Sequence, residues 1–179
     1  MNIDIYIQKT NNTYKPTYGI PFECVELIRR FFSTVYGLTF PDVDDAIYFF
    51  KNINYFVSIK NPNTNIPLET FSYPYSHNYS YYLKPFSILF WKYNKTNFPY
   101  GHVALIIDSN EKETFVAQQN LNPPIKKYNT KDLFSKINCQ NSKFLGIKQL
   151  PKQMLSEIKN IQFNIIHFLQ FHKKSGAKL

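Results

Sequence analysis

Two residue types here could carry out nucleophilic chemistry, and both are scarce: two cysteines and four histidines in 179 residues. Cys24 stands in Pro21-Phe22-Glu23-Cys24-Val25-Glu26-Leu27-Ile28-Arg29-Arg30, at the position where the spacing predicts the first turn of a helix. A helix N-terminus favours a thiolate, because its free N–H groups and dipole stabilise an anion. A thiol nucleophile also needs a base, and the base needs a polar group to orient it. His102 offers the base, directly after Gly101 at the head of an apolar run. If "GHVALIID" (101–108) and "ETFVAQQN" (113–120) form a hairpin pivoting on Asn110, His102 faces Gln118; a half-residue shift of the pivot brings Gln119 there instead. Either glutamine can accept the ring N–H and set the tautomer, without stabilising imidazolium as a carboxylate would.

The same residues have a plain structural reading. A cysteine on an amphipathic helix is usually packing, and a histidine at a strand end is usually structural. Spacing alone leaves both readings open. His77, His167 and His172 have nothing at helical or hairpin spacing to aim them at Cys24, and Cys139, among Lys and Asn, reads as structural.

The elements that must position these residues are legible in outline. Val25, Leu27, Ile28, Phe31, Phe32 and Val35 recur at helical spacing from Cys24 to Tyr36, and Gly37 follows as a natural helix terminator. A second helix is expected to open at Asp42, with Asp45 in its acidic first turn, and to run through Ala46, Ile47, Phe49 and Phe50. Residues 51–85, rich in Asn, Pro, Tyr and Ser, read as a long ordered loop. "FSILFWK" (86–92), the hairpin strands and "KFLGIKQL" (143–150) read as strands, and Pro151 opens a last amphipathic helix to about His172. Helices first, sheet afterwards and a closing helix suggest α+β. The chain divides into one domain over 1–150 and a helix and tail over 151–179 packed on it.

Composition narrows the function classes. No apolar run approaches the ~18 residues that span a bilayer, and MNIDIYIQKT is too short and polar for a signal-peptide core. The expectation is a cytoplasmic protein in a reducing compartment with no membrane partner. Widely separated cysteines outside any CxxC pair speak against a disulfide scaffold or a zinc site, so neither metal nor cofactor is expected. The +9 charge is spread along the chain, which reads as a solvated basic surface rather than a specific nucleic-acid interface. The terminal Ala177-Lys178-Leu179 resembles a peroxisomal tripeptide.

At Cys24 and His102 the chain also resembles a known family. "FECVELIRRFFSTVYGLTFPDVDDAIYFF" (22–50), "GHVALI" (101–106) and "VAQQN" (116–120) look like the amidase domain of glutathionylspermidine synthetase/amidase and of trypanothione synthetase. That domain is a CHAP (cysteine, histidine-dependent amidohydrolase/peptidase) domain with a papain-like fold. The resemblance runs from about Tyr18 to Leu150. It implies hydrolysis of a glutathione–polyamine amide through an acyl-enzyme thioester, with no cofactor. Cys24 falls on the nucleophile, His102 on the general base and Gln118 on the third member, where this branch has Glu. Glu23 falls on a Gln that donates to the oxyanion hole, beside the Cys24 backbone N–H. Arg29, the Val43-Asp44-Asp45-Ala46 turn and Asn120 fall on or near positions associated with substrate contact. Arg29, five residues after Cys24, lies about 140° around the helix from it and must reach a neighbouring part of the cleft.

Relative to the family, Gln and Glu have changed places. Gln at the third position is tolerable, since related thiol hydrolases use a neutral amide there. An ionised Glu23, however, would disfavour both thiolate and oxyanion, and a lost donor in such a hole costs about 2.7–4 kcal/mol. The carboxyl must therefore be protonated, turn toward Arg29 or a lysine, or meet a cationic polyamine; otherwise catalysis is weak. The resemblance favours a thiol amidase, with two alternatives: a peptidoglycan amidase or endopeptidase, drawn by charge to anionic walls, and a non-catalytic binding module.

Overall fold

The computed structural model describes residues 23–73, 82–92, 100–130, 133 and 143–157. Helix α1 (Cys24–Tyr36) buries Leu27, Ile28, Phe31, Phe32 and Val35 along one face. It ends where Gly37 turns left-handed, at φ 63°, and returns its N–H to the Phe32 and Ser33 carbonyls. At the other end Glu23 is the N-cap in extended conformation, but its side chain caps none of the first-turn N–H groups. Those donors are left for something else.

Strand β1 (Leu38–Thr39) leads through a turn to helix α2 (Ala46–Asn52). The expected start at Asp42 is corrected: Asp45 is the N-cap, its carboxylate accepting the Tyr48 N–H, while Asp42 pairs with Arg29 Nη1 at 2.8 Å. Residues 51–85 are likewise not one irregular loop. They contain β2 (Tyr55–Ser58), β3 (Asn65–Pro67) and β4 (Glu69–Ser72). These strands are short and largely exposed, so no apolar alternation announced them. β1, β2 and β3 form a small antiparallel sheet in that order.

The main sheet has six antiparallel strands in the order β4-β9-β5-β6-β7-β8, where β5 is Ile88–Lys92, β6 His102–Ser109, β7 Glu113–Gln118, β8 Ile125–Asn129 and β9 Lys143–Gln149. Strand β8 was missed in the sequence because "IKKYN" is short and polar, with one half-buried and one exposed lysine at its centre. A final helix, α3, covers Lys152–Glu157; its expected continuation to His172 lies outside the described residues. The chain is thus mixed α/β with antiparallel sheets. No described helix is long and apolar enough to cross a membrane.

Both faces of the central strands are covered, which is why "SILFW" and "HVALII" read as unbroken apolar runs. One face meets α1 through Ile88, Phe90, Val103, Leu105 and Ala117. The aromatic stack of Phe32, Phe40, Phe49 and Phe56, with ring centroids 4.4–6.3 Å apart, joins α1, α2 and the small sheet to it. The other face buries Leu89, Trp91, Ala104, Ile106, Val116, Phe144 and Ile147 under Tyr82, Leu83 and Leu133. Each fully buried Phe, Leu or Ile contributes roughly 1.5–3 kcal/mol, so this two-sided burial outweighs local propensity. Lys148, fully buried on β9, is retained by Asn54 Oδ1 (3.1 Å) and Thr70 Oγ1 (2.9 Å); burial brings its pKa down to about 8.

Gly146 sits where β9 is squeezed between β4 and the Phe50 ring, beside an irregularity in its pairing with β5. Its φ is 154°, and a methyl group there would strike the Phe71 carbonyl and lie 2.9 Å from Phe50 Cζ. Gly146→Ala is expected to lower unfolding free energy by about 3 kcal/mol or more, through both strain and overpacking. Urea titration checks this; a loss below about 1 kcal/mol would contradict the close approach.

Candidate active site

The sulfur of Cys24 lies at the start of α1, where the uncapped helix leaves N–H groups available. The backbone N–H groups of Val103, of Val25 and of Cys24 itself lie near enough to favour its anion. The first of these donors belongs to the residue after His102, so the thiol is anchored on the His102–Val103 peptide at the head of β6. Cys24 is only 9% exposed. Burial, the largest influence, pushes its pKa up to about 11, Glu23 adds to the rise, and the three backbone donors only partly oppose it. Desolvation therefore beats the helix terminus, and the resting thiol is neutral.

Gly101 delivers His102 to this place. Its φ is +73°, and an added methyl would lie 2.7 Å from the Trp91 carbonyl oxygen and 2.9 Å from Ile47 Cγ1. Only glycine fits so tight a left-handed approach. The His102 ring lies 5.7 Å from Trp91, centroid to centroid, and bonds the Gln118 side chain. Gln118 Nε2 is already committed to the Pro123 carbonyl at 2.9 Å, which leaves Oε1 as the atom that accepts the ring N–H. Burial brings the His102 pKa down to about 4, with Gln118 opposing weakly, so the imidazole rests neutral as well.

The pairing that brings His102 and Gln118 together differs from the expected one. Gln118 lies opposite Ala104, not His102, because the turn centres between Glu111 and Lys112, which moves the register by three residues, and a bulge near Ile107 takes one of them back. The slip at His102 amounts to two residues, so the face is preserved and the ring and amide meet diagonally. Gln119, the alternative partner, points to the opposite face. Its Oε1 accepts from Arg30 Nη2 (3.1 Å), and its Nε2 donates to the Glu23 carbonyl and to Glu26 Oε2, both at 2.9 Å.

Glu23 and Asn120 form the next contact. Asn120, itself left-handed at φ 66°, donates from Nδ2 to Glu23 Oε2 at 3.0 Å. Its Oδ1 is buried without a hydrogen-bond partner among the described residues. Burial raises the Glu23 pKa and the Asn120 bond lowers it, burial being the stronger. The carboxyl thus does not turn toward Arg29, which is spent on the Pro41 carbonyl (2.9 Å), Asp42 and the Phe40 ring.

The Val43–Ala46 turn is also close by: the Ala46 N–H donates to the Tyr100 carbonyl at 3.1 Å, just before Gly101-His102. Ala46 is buried, Val43 and Asp45 are half-buried, and Asp44 is exposed. Glu23, Cys24 and Asn120 therefore meet at the helix end, the thiol there meets the peptide that follows His102, and the Ala46 turn meets the Tyr100 carbonyl just ahead of it, while the His102 ring and Gln118 share the sheet face of Trp91 and Ala104 and Arg29 serves the turn from behind. Sequence reasoning missed the buried Glu26–Arg30–Gln119 cluster, although Glu26 and Arg30 stand four residues apart in a helix. Cys139, His77, His167 and His172 lie outside the described residues. No family model matches the chain, and no curated protein matches it.

The electrostatics make a testable demand. His102 has its pKa held below the ordinary 6.5, so neutral His102 contributes fully to stability above pH 6.5 and loses that share as pH falls towards 4. The loss amounts to about 3 kcal/mol between those limits. His102→Gln is expected to flatten this part of the stability–pH curve, measured by denaturant unfolding. Parallel curves for variant and wild type would contradict a buried neutral imidazole.

Proposed function

We propose that this chain is a cysteine amidase that hydrolyses the amide bond of glutathione–polyamine conjugates of the glutathionylspermidine or trypanothione type, on a papain-like CHAP fold. The observation that carries the reading is the seating of Cys24 at the N-terminus of α1, its sulfur against the Val103 N–H, one residue along the chain from a histidine bonded to Gln118. The motif block in the sequence supplies the substrate class.

The chemistry follows from a pair that rests neutral. With a substrate carbonyl in place, the Cys24 sulfur attacks the carbonyl carbon as His102 takes the thiol proton. The tetrahedral oxyanion draws on the backbone N–H of Cys24 and on the Glu23 carboxyl in its protonated, donating form. Imidazolium then protonates the amine as the C–N bond breaks, leaving a thioester on Cys24. Water, deprotonated by His102, attacks the thioester and releases the acid and the thiol. Asn120 Oδ1 is available to accept from a substrate N–H or ammonium.

A second reading, a binding module with an unreactive Cys24, is favoured by one specific observation: the thiol is held near 11 with a carboxyl as its neighbour. One assay separates the two. Purified protein incubated with glutathionylspermidine is expected to release free spermidine, and Cys24→Ala to release none. Glu23→Gln removes the acid beside the thiol and supplies a permanent donor, so kcat/KM near neutral pH is expected to rise about tenfold or more. No spermidine release by wild type, with Cys24→Ala indistinguishable from it, would sink the amidase reading. Reduced turnover in Glu23→Gln would contradict the role given to Glu23.

A further inference from the structure

Beneath the candidate site lies a fully enclosed polar cluster that the proposed chemistry does not use. Glu26 is 2% exposed, Arg30 7% and Gln119 0%. Arg30 Nε meets Glu26 Oε1 at 2.7 Å, and its Nη2 reaches both Glu26 Oε2 and Gln119 Oε1. With Oε1 accepting from Arg30, the amide nitrogen of Gln119 has to face the other way, and it donates to Glu26 Oε2 and to the Glu23 carbonyl. Arg30 thus sets the direction of the glutamine amide, and the amide meets the peptide that links Glu23 to Cys24.

That peptide matters because of what its other edge does. In a trans peptide the N–H points opposite to the C=O. The Glu23 carbonyl receives Gln119 Nε2 at 2.9 Å and the Leu27 N–H at 3.3 Å. Two donors on the carbonyl edge hold the peptide plane and so aim the Cys24 N–H on the opposite edge, the donor that serves the sulfur and, on the reading above, the oxyanion. Glu23 has no side-chain cap of its own to do this, and the 3.3 Å helix bond is long. Gln119 supplies the shorter constraint, from just beyond the end of β7 and 96 positions away in sequence.

We propose that Gln119, aimed by the Glu26–Arg30 pair, is a positioning residue that orients the Glu23–Cys24 peptide for thiol activation and oxyanion binding. The proposal rests on the amidase reading for its catalytic meaning, but its effect on the thiol stands without a substrate. Atoms on the Glu23 carbonyl edge never touch the reacting groups, so Gln119 works through the peptide.

The experiment compares Gln119→Met, which keeps volume but removes the amide, with Thr114→Val. Thr114 is equally buried at the far end of β7, where it bonds Ser109 and Thr130, so this variant controls for lost stability. Iodoacetamide alkylation of Cys24 is followed by mass spectrometry across pH, beside kcat and KM on glutathionylspermidine and thermal unfolding. Gln119→Met is expected to raise the thiol pKa by about one unit, slowing alkylation about tenfold below that pKa. It should also lower kcat at least about tenfold with KM nearly unchanged, and Thr114→Val should leave both at wild-type values. A folded Gln119→Met with wild-type alkylation would overturn the proposal, as would equal effects in the two variants. Should Gln119→Met not fold, Arg30→Lys keeps the Glu26 ion pair but loosens the hold on the amide: slower alkylation supports the proposal and an unchanged rate overturns it. If wild type cleaves no conjugate, the amidase reading fails, while the alkylation comparison still decides this one.

Discussion

Three consecutive side chains at the end of β7 hold the site together, and little of its geometry survives without them. Gln118 orients His102, Gln119 holds the Glu23–Cys24 peptide, and Asn120 holds the Glu23 carboxyl. Strand alternation sends Gln118 and Gln119 to opposite faces of the sheet. The left-handed turn at Asn120 then swings a third side chain back toward the helix. The loop that follows returns carbonyls to both ends of Gln118, Pro124 to its backbone N–H and Pro123 to its amide. A helix end and a strand head that are far apart in sequence thereby meet with defined orientations.

Burial gives this arrangement its character. The helix terminus and the three backbone donors at Cys24 favour a thiolate, and a thiol exposed in that setting would ionise readily. Enclosure reverses the balance: the thiol rises to about 11 and the imidazole falls to about 4, both mainly by desolvation. Both groups therefore rest neutral, so in the proposed amidase reaction proton transfer has to accompany attack rather than precede it. Glu23 fits the same logic. Burial raises the pKa of its carboxyl, while the bond donated by Asn120 favours the ionised form and works against that rise.

Much of the architecture was legible because it is written in burial. Helix α1, from Cys24 to Gly37, and the strands around Phe90, Val103 and Phe144 carry apolar residues at the spacing their structure requires. The elements that escaped, β2, β3, β4 and β8, are short or half-exposed, and tertiary pairing rather than pattern makes them strands. The second helix was found but its cap was misplaced, since Asp42 and Asp45 are equally good caps in sequence and only Arg29 decides between them. At the site, His102 and Gln118 could be paired by hairpin arithmetic even with the register two residues off, because a two-residue slip keeps the face, whereas Cys24 joined them only through the family resemblance. The Glu26–Arg30–Gln119 cluster could not, because a charged pair four residues apart reads as a solvated helix face until its burial is known.

Acid-quenched intact-mass spectrometry during turnover of glutathionylspermidine tests whether Cys24 is the nucleophile. The account predicts a covalent adduct with the mass of the glutathionyl acyl group, mapped to the peptide containing Cys24. It should be absent in Cys24→Ala and accumulate more slowly in His102→Ala. Spermidine release without any adduct on Cys24, or an undiminished adduct in His102→Ala, would contradict it.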